Sequence, residues 1–445
     1  MSTNPIGIGL AGFGTVGGGV FKYLEQQREL LLERTGALFE ICAVAVRDQR
    51  KQRDSILPKS LLVDSWRDLL NDPRIQVIVE LMGGTTDAFE LIKGAIESGR
   101  AVVTGNKALL AERGEEIFAL AKKHAVPIFY EAAVAGGIPI IQSLRDGFVG
   151  NRIKSIHAIL NGTTNYILSR MEEEGLNYDE ALSEATSRGY AEADPTLDLS
   201  GWDAGHKAII LAALAYGFWV RPEEIRVEGI QAITAADIGF AKKFGYSIKL
   251  LASIRDTADG VIEVGVSPTL IPKKSILASV SGSFNAIAVK GDLVGETLFY
   301  GRGAGCEPTT SSVIGDLVAA ATLGVAANHG VYAPQSQEVS TLLVGFTPHS
   351  LYGKSRPALE IISSYYLRLA VEDQPGVLAT IATIFGEEGI SISSLVQPES
   401  CGERETPLVF MIHKARYGMM QAALEKVARL TCVKAKPVLL NVETF

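Results

Sequence analysis

The chain has few cysteines, and Cys42, Cys306, Cys401 and Cys432 are scattered with no C-x-x-C pair among them. That usage leaves no zinc site and fits a reducing compartment. Long apolar runs are missing too: the longest, AIILAALAYGFWV at 208–220, falls short of the roughly 20 residues that span a bilayer. The start, MSTNPIGIGL, has no basic stretch ahead of an apolar one, so no secretory signal is expected. Positive charge is not in excess either, since 42 Lys and Arg against 50 Asp and Glu leave −8. The balance argues against a binder of nucleic acid or of acidic membranes. What is there, 445 residues with 47% hydrophobic and 21% charged, is a globular composition long enough for two or three domains. A cytoplasmic enzyme acting on small molecules is the expectation.

Ile6 to Ala11 reads as a short buried strand, and Gly12-Phe13-Gly14-Thr15-Val16-Gly17 follows at once, before a helix expected from about Val16 to Arg34. In this G-x-G-x-x-G the first glycine permits a tight turn, the second admits a pyrophosphate, and the third packs helix on strand. The helix start then offers free amides to phosphate oxygens. The next strand, Phe39 to Val46, ends in Arg47-Asp48, with Arg50, Lys51 and Arg53 close behind. A ribose 2′-hydroxyl asks for an acid there and a 2′-phosphate for arginine. Arg47 comes first, so NADP is favoured; Asp48 keeps NAD possible. Strands at Gln76–Leu81, Ala101–Thr104 and Pro127–Tyr130 continue the alternation with helices. They end at Met82, at Gly105-Asn106-Lys107 and at Glu131, the sheet edge where open α/β folds bind ligands.

Residues 189–207, GYAEADPTLDLSGWDAGHK, pack four acids and one lysine into a turn-rich stretch that enters the apolar helix. Asp203 and Lys207 are one helical turn apart, so the carboxylate can hold the ammonium. Alone, the stretch also reads as a solvated loop with an ordinary surface ion pair, which is common and weak. Strand-like runs recur at Ile153–Leu160, Val261–Val266 and Ile276–Val289, and Asn161-Gly162-Thr163-Thr164-Asn165 is a polar turn into a helix. Gly301-Arg302-Gly303-Ala304-Gly305-Cys306 is a second glycine-rich turn, which either meets the cofactor or only reverses the chain. Cys306 beside it is either an inert thiol or a redox-active one. From Tyr366 the order of elements is βαββαβ, enough for an independent domain.

These blocks together resemble homoserine dehydrogenases that carry a C-terminal ACT domain, from end to end. Ala185, Gly189, Tyr190, Ala191, Asp194-Pro195, Asp198-Leu199, Gly201, Asp203 and Lys207 match every fixed position of that family's signature. Thr104-Gly105-Asn106-Lys107, Glu131 to Gly137 and Asn161 to Asn165 resemble further family blocks. The resemblance implies an α/β chain with a Rossmann-type nucleotide-binding domain at 1–140, onto which 305–330 packs back. It implies an α+β catalytic and dimerisation domain at 141–304, a linker at 331–362 and a βαββαβ ACT domain at 363–445.

By the same resemblance, the reaction is reversible reduction of L-aspartate 4-semialdehyde to L-homoserine, a step of threonine, methionine and isoleucine biosynthesis. Lys207 would donate the proton, Lys107 would serve substrate and cofactor, and Asp203 would orient Lys207. Glu192 and Asp198 would bind the amino end of the substrate. Gly12, Phe13, Gly14, Thr15, Val16, Gly17, Arg47, Gly303 and Gly305 would line the cofactor. A monovalent cation, Na+, would sit on Glu131 and the carbonyls of Val134, Gly136 and Ile138, with Gly136-Gly137 permitting the turn. The Asp373-Gln374-Pro375-Gly376 turn resembles the ACT amino-acid site, so threonine is the expected effector of a homodimer or homotetramer; the other reading of the unit is dimerisation alone. Two positions depart from the family: Arg302 stands where proline is common, and Gly205 where alanine is usual. Another amino-acid or sugar dehydrogenase would leave 189–207 unexplained. A non-enzymatic sensor would have lost Lys207, Lys107 or the glycines, and all are present.

Overall fold

The computed structural model describes residues 5–47, 57–257, 259–328, 345–346, 348–398 and 405–444. Asp48, Arg50, Lys51, Arg53, Cys401 and, of the expected linker, residues 331–344 and 347 lie outside these. Six strands form the first sheet: β1 (Ile6–Ala11), β2 (Phe39–Ala45), β3 (Leu62–Val63), β4 (Ile75–Glu80), β5 (Ala101–Thr104) and β6 (Ile128–Phe129). Their order is β3-β2-β1-β4-β5-β6, and every pairing is parallel. Chain direction across the sheet reverses between β1 and β4, and that crevice is where such folds take a dinucleotide. The expected helix after β1 divides in two, Thr15–Gln26 and Arg28–Thr35. Its first half buries Val20, Phe21 and Leu24 on the sheet, while its second half buries nothing. A helix without an apolar face has no tertiary packing to hold it in line.

The second sheet follows, with β7 (Ile153–Ile159), β8 (Arg226–Val227), β9 (Tyr246–Asp256), β10 (Ile262–Pro272), β11 (Phe284–Gly291) and β12 (Gly295–Arg302). The strand expected from Ile276 begins only at Phe284, because Ile276–Ser279 is a single 3₁₀ turn with Ile276 exposed. The apolar helix Trp202–Tyr216 lies against β9 and β10 and buries Ala208 to Ala213. After β12 the helix Cys306–Asn328 returns to the first sheet. There Val313, Ile314 and Leu317 share a core with Val20, Phe21 and Val79.

The C-terminal unit is β13 (Ile362–Val371), a helix, β14 (Ile392–Val396), β15 (Thr406–Arg416), the helix Tyr417–Ala428 and β16 (Val438–Val442). Its sheet is not separate. β16 pairs with β10 through Thr269↔Asn441 and Leu270↔Val442, so one sheet runs β12-β11-β7-β9-β10-β16-β13-β15-β14. A second tie is buried. Arg368 on β13 holds Asp237 of the helix Ala235–Lys243 with a two-pronged contact at 2.6 and 2.9 Å, and the Tyr366 hydroxyl donates to the same carboxylate at 2.8 Å. Asp237 also caps its own helix through Thr234. Charged bonds of this kind, shielded from water, fix orientation. Asp237→Ala is therefore expected to destabilise the chain by about 3 kcal/mol, because Arg368 loses its buried partner. Urea unfolding reads this; a loss under about 1 kcal/mol would mean the contact is solvent-screened.

Candidate active site

Beyond the C-terminal ends of β1, β2 and β4 lies a cavity of about 980 Å³, the scale of pockets that take small molecules and cofactors. Gly12, Phe13, Gly14, Thr15 and Arg47 line it, as do Asp64, Ser65, Trp66, Met82 and Gly83. Gly12 has φ +99°, and a β-carbon there would stand 2.5 Å from the Leu81 carbonyl oxygen, so only glycine fits. A β-carbon on Gly14 would meet nothing, which leaves the amides at the start of Thr15–Gln26 open to the cavity. Val16 and Gly17 are not among the lining residues; Gly17 instead packs against the Gly12 carbonyl. Of the second glycine turn, Cys306 and Glu307 reach the cavity, while Gly303 presses on the Asn285 amide and Gly305 (φ +119°) turns the chain into its helix. The Cys306 thiol donates to the Thr15 carbonyl at 3.2 Å. Neither Cys306, Glu307 nor Trp66 was assigned a cofactor role from sequence. Their register in the groove depends on how the returning helix and β3 pack.

The turn after β4 connects this cavity to a charged cluster. Asn106 caps the helix Lys107–His124 through its Oδ1, and its Nδ2 donates to the Gly84 carbonyl at 2.7 Å. Lys107, the first residue of that helix, reaches Asp203 Oδ1 at 3.2 Å. From the helix Trp202–Tyr216, Lys207 Nζ donates to Asp203 Oδ2 at 2.7 Å and to the Leu160 carbonyl at 2.7 Å. Asn161, at the end of β7, donates through one Nδ2 to Asp203 at 2.8 Å and to Asp198 at 2.7 Å. Thr163 Oγ1 lies 3.1 Å from Asp198 Oδ2 and 2.7 Å from the Tyr190 carbonyl. Burial alone would push the Asp203 carboxyl up, but the Lys207 and Lys107 ammoniums overrule it and hold it below the usual range. Asp198 goes the other way, raised by burial and then by Asp203. Lys107, Lys207, Asp203 and Asp198 thus converge. Glu192 does not: it is exposed, on the loop ahead of the short helix Thr196–Leu199, and no hydrogen bond or ion pair joins it to the cluster among the described residues.

The Glu131–Ile138 loop lies beside the returning helix. Both Glu131 oxygens accept backbone amides, from Ile141 and Gln142 at 2.8 Å each, and the Glu131 amide donates to Asp316 Oδ2 at 2.9 Å. The Gly136 carbonyl accepts from Ser312, and the Ile138 carbonyl accepts from the Ile140 amide. Burial raises both carboxyls, Asp316 well above its ordinary value, and the Glu131 charge raises Asp316 further. The left-handed residue here is Ala135 (φ 48°), not Gly136 or Gly137. The two glycines are required by contact instead, with Thr309 and with the Arg302 carbonyl. That carbonyl accepts the Gly137 amide at 3.0 Å, so Arg302 contributes its backbone. Gly205 has a similar cause: a methyl group there would lie 3.0 Å from Val227 Cγ2.

Three family models match the chain: "Homoserine dehydrogenase, NAD binding domain" over residues 12–131, "Homoserine dehydrogenase" over 139–318, and "ACT domain" over 365–432. A homoserine dehydrogenase of Neisseria gonorrhoeae is 42% identical over 446 aligned positions, covering 99% of each chain. The crystal structure of a homoserine dehydrogenase from Thiobacillus denitrificans superposes with a TM-score of 0.89 at 40% identity, again over 99% of each chain. A hyperthermophilic archaeal homoserine dehydrogenase in complex with NADPH is 28% identical, with a TM-score of 0.61 over 72% of this chain and 98% of that one.

The Asp203 carboxyl also makes a prediction about pH. Its folded value is depressed, so it contributes stability above the unfolded range near 4, and that contribution drains away as pH falls towards the folded value. Asp203→Asn should therefore lower the melting temperature more at pH 7 than at pH 3. Equal losses at both pH values would show that its charge is not what holds the cluster.

Proposed function

The chain belongs to the homoserine dehydrogenase family and is an oxidoreductase acting on a CH–OH group, and from that premise we propose how its residues divide the work. It interconverts L-aspartate 4-semialdehyde and L-homoserine with a nicotinamide dinucleotide. Lys207 is the proton donor. The observation that carries this role is a count of N–H groups: an ammonium has three, and Leu160 and Asp203 hold two of them. The third is left for the substrate oxygen. Bound nicotinamide supplies the hydride that makes that oxygen an alkoxide. Asp203 holds Lys207 in line through the transfer, and Lys107, on the other carboxylate oxygen, adds a second positive charge beside the developing anion. Asp198 receives the substrate ammonium, and Glu192 joins it only if its loop folds inwards over the bound substrate.

Gly12–Thr15 would hold the dinucleotide, and Arg47 would meet its ribose. A guanidinium there supports NADP over NAD, and the archaeal relative in complex with NADPH supports the same choice. A monovalent cation would be held by Glu131 and the carbonyls of Val134, Gly136 and Ile138. The fit rests on two neighbouring buried acids, Glu131 and Asp316, with no ion pair to either among the described residues. Oxygen donors of this kind suit a hard cation. Threonine acts through the ACT unit of a homodimer or homotetramer, and the nucleotide domain comprises 1–140 together with 305–330.

Purified chain should oxidise NADPH with aspartate semialdehyde and do so faster than it oxidises NADH. Lys207→Ala should cut kcat by about 10²- to 10⁴-fold with the fold intact, the usual size of a lost general acid. Near-normal turnover in that variant would reassign the acid. Titrating Na+ and then threonine into the same assay tests the other two assignments, with a rate that rises with the first and falls with the second; a flat response removes the corresponding site.

A further inference from the structure

The helix Tyr417–Ala428 of the ACT unit begins at a cluster that ends on the substrate segment. The Tyr417 hydroxyl donates to Glu228 Oε1 at 2.9 Å. Arg226 grips the same carboxylate at 2.8 and 2.6 Å, stacks its guanidinium 3.8 Å from the Tyr417 ring centre, and reaches Asn441 of β16 at 3.0 Å. Glu228 itself is pinned to the catalytic sheet, its amide donating to the Val266 carbonyl at 2.8 Å. The next two residues touch the other side. The Ile230 amide donates to the Leu199 carbonyl at 3.1 Å, and Gly229 lies so close to Leu199 and Ser200 that a side chain there would overlap them. Gly201, with φ +87°, would bring a β-carbon to 2.9 Å from the Glu228 carbonyl. Residues 226–230 are therefore a strap with the ACT helix on one end and Leu199–Gly201 on the other. Asp198 stands immediately before that stretch and Asp203 two residues after it.

The adjoining cavity between the two units, lined by Arg226, Arg255, Glu263, Asn441 and Glu443, measures about 40 Å³. That is room for a few water molecules and not for an amino acid. Its charges also already satisfy one another, Arg255 with Glu263 and Glu443, Arg226 with Glu228. The seam is therefore a mechanical contact and not a ligand site.

We propose that Tyr417 is a positioning residue for the reaction: through Glu228 and the strap it sets where Leu199–Gly201, and with them Asp198, stand beneath the substrate. The proposal rests on Asp198 receiving the substrate ammonium. It requires that a change at Tyr417 be felt in homoserine binding and not in dinucleotide binding, since the strap meets none of the residues that line the large cavity. The phenol is a mild donor in this setting, as burial pushes its ionisation up to about 12 and keeps it protonated at working pH.

The test is steady-state kinetics on the full chain carrying Tyr417→Phe, which removes one hydroxyl and leaves the ring under Arg226. Homoserine KM should rise about three- to tenfold, the effect of one lost hydrogen bond, with NADP KM and melting temperature unchanged. Glu228→Gln keeps an acceptor for the phenol and should restore most of the affinity that Glu228→Ala loses. The double variant Tyr417→Phe/Glu228→Ala should lose no more than Glu228→Ala alone, because both act through one contact. An unchanged homoserine KM in Tyr417→Phe, or an equal rise in NADP KM, overturns the proposal. Asp198→Asn separates the two layers: if it leaves homoserine KM unchanged, the substrate assignment fails and the strap fails with it. If it raises KM while Tyr417→Phe does not, the strap alone fails.

Discussion

One buried carboxylate holds the reaction centre together. Asp203 takes ammonium groups from Lys207 and Lys107 and an amide N–H from Asn161, and these arrive from three separate parts of the chain. A carboxylate at 5% exposure cannot stay ionised without such partners. Two cations in contact overturn the desolvation penalty, and the cluster closes on itself. Asn161 makes the arrangement tolerable for a second acid, because its single Nδ2 donates to Asp198 as well as to Asp203. Asp198 is the member whose charge is least compensated, and that is the property wanted in the group proposed to accept the substrate ammonium.

The same carboxylate explains why two sheets have to meet. Lys107 starts the helix that follows β5 of the first sheet, beside the large cavity, and Lys207 belongs to a helix buried on the second. A hydrogen bond from Asn106 to Gly84 fixes the turn that follows the Met82-Gly83 wall of the cavity, so the position of Lys107 is set by the cofactor wall itself. The proposed proton donor, Lys207, and the cofactor wall are then referenced to one another through Asp203 and not through flexible side chains. Pre-organisation of this sort is where most rate enhancement in polar sites arises.

Much of this was legible in the sequence, and the parts that were not share a cause. Gly12 to Gly17 after an apolar strand, the i,i+4 pair Asp203–Lys207 and the βαββαβ order are local patterns, and local patterns survive folding. Lys107 was placed at a sheet edge but not on Asp203, because that contact joins residues distant in sequence. Asn161 and Thr163 were seen as a polar turn, with nothing in their spacing to say that they hold Asp198. Glu192 was paired with Asp198 by resemblance to the family's signature, which says nothing of side-chain direction, and here its side chain is exposed. The break at Gln27 escaped notice because charged residues after it still have good helix propensity, while packing decides continuity. The positive φ at Ala135 opposes what residue type alone would suggest; the surrounding loop, fixed at Glu131 and Gly137, imposes it.

The ACT unit meets the catalytic unit at two seams of different character. At Asp237 the carboxylate is fully buried, the Arg368 side chain is 15% exposed and the contact is two-pronged, so breaking it leaves an uncompensated charge in a dry place. At Glu228 the side chain is 33% exposed, so the contact there is softer than the buried one at Asp237. The sheet contact beside it involves only two residue pairs. A rearrangement of the ACT unit therefore meets least resistance at the second seam, and there the chain has placed the strap that ends on Leu199. On the proposed coupling, the first seam keeps the two units registered while a change at the second is passed to the substrate segment and not into separation of the domains.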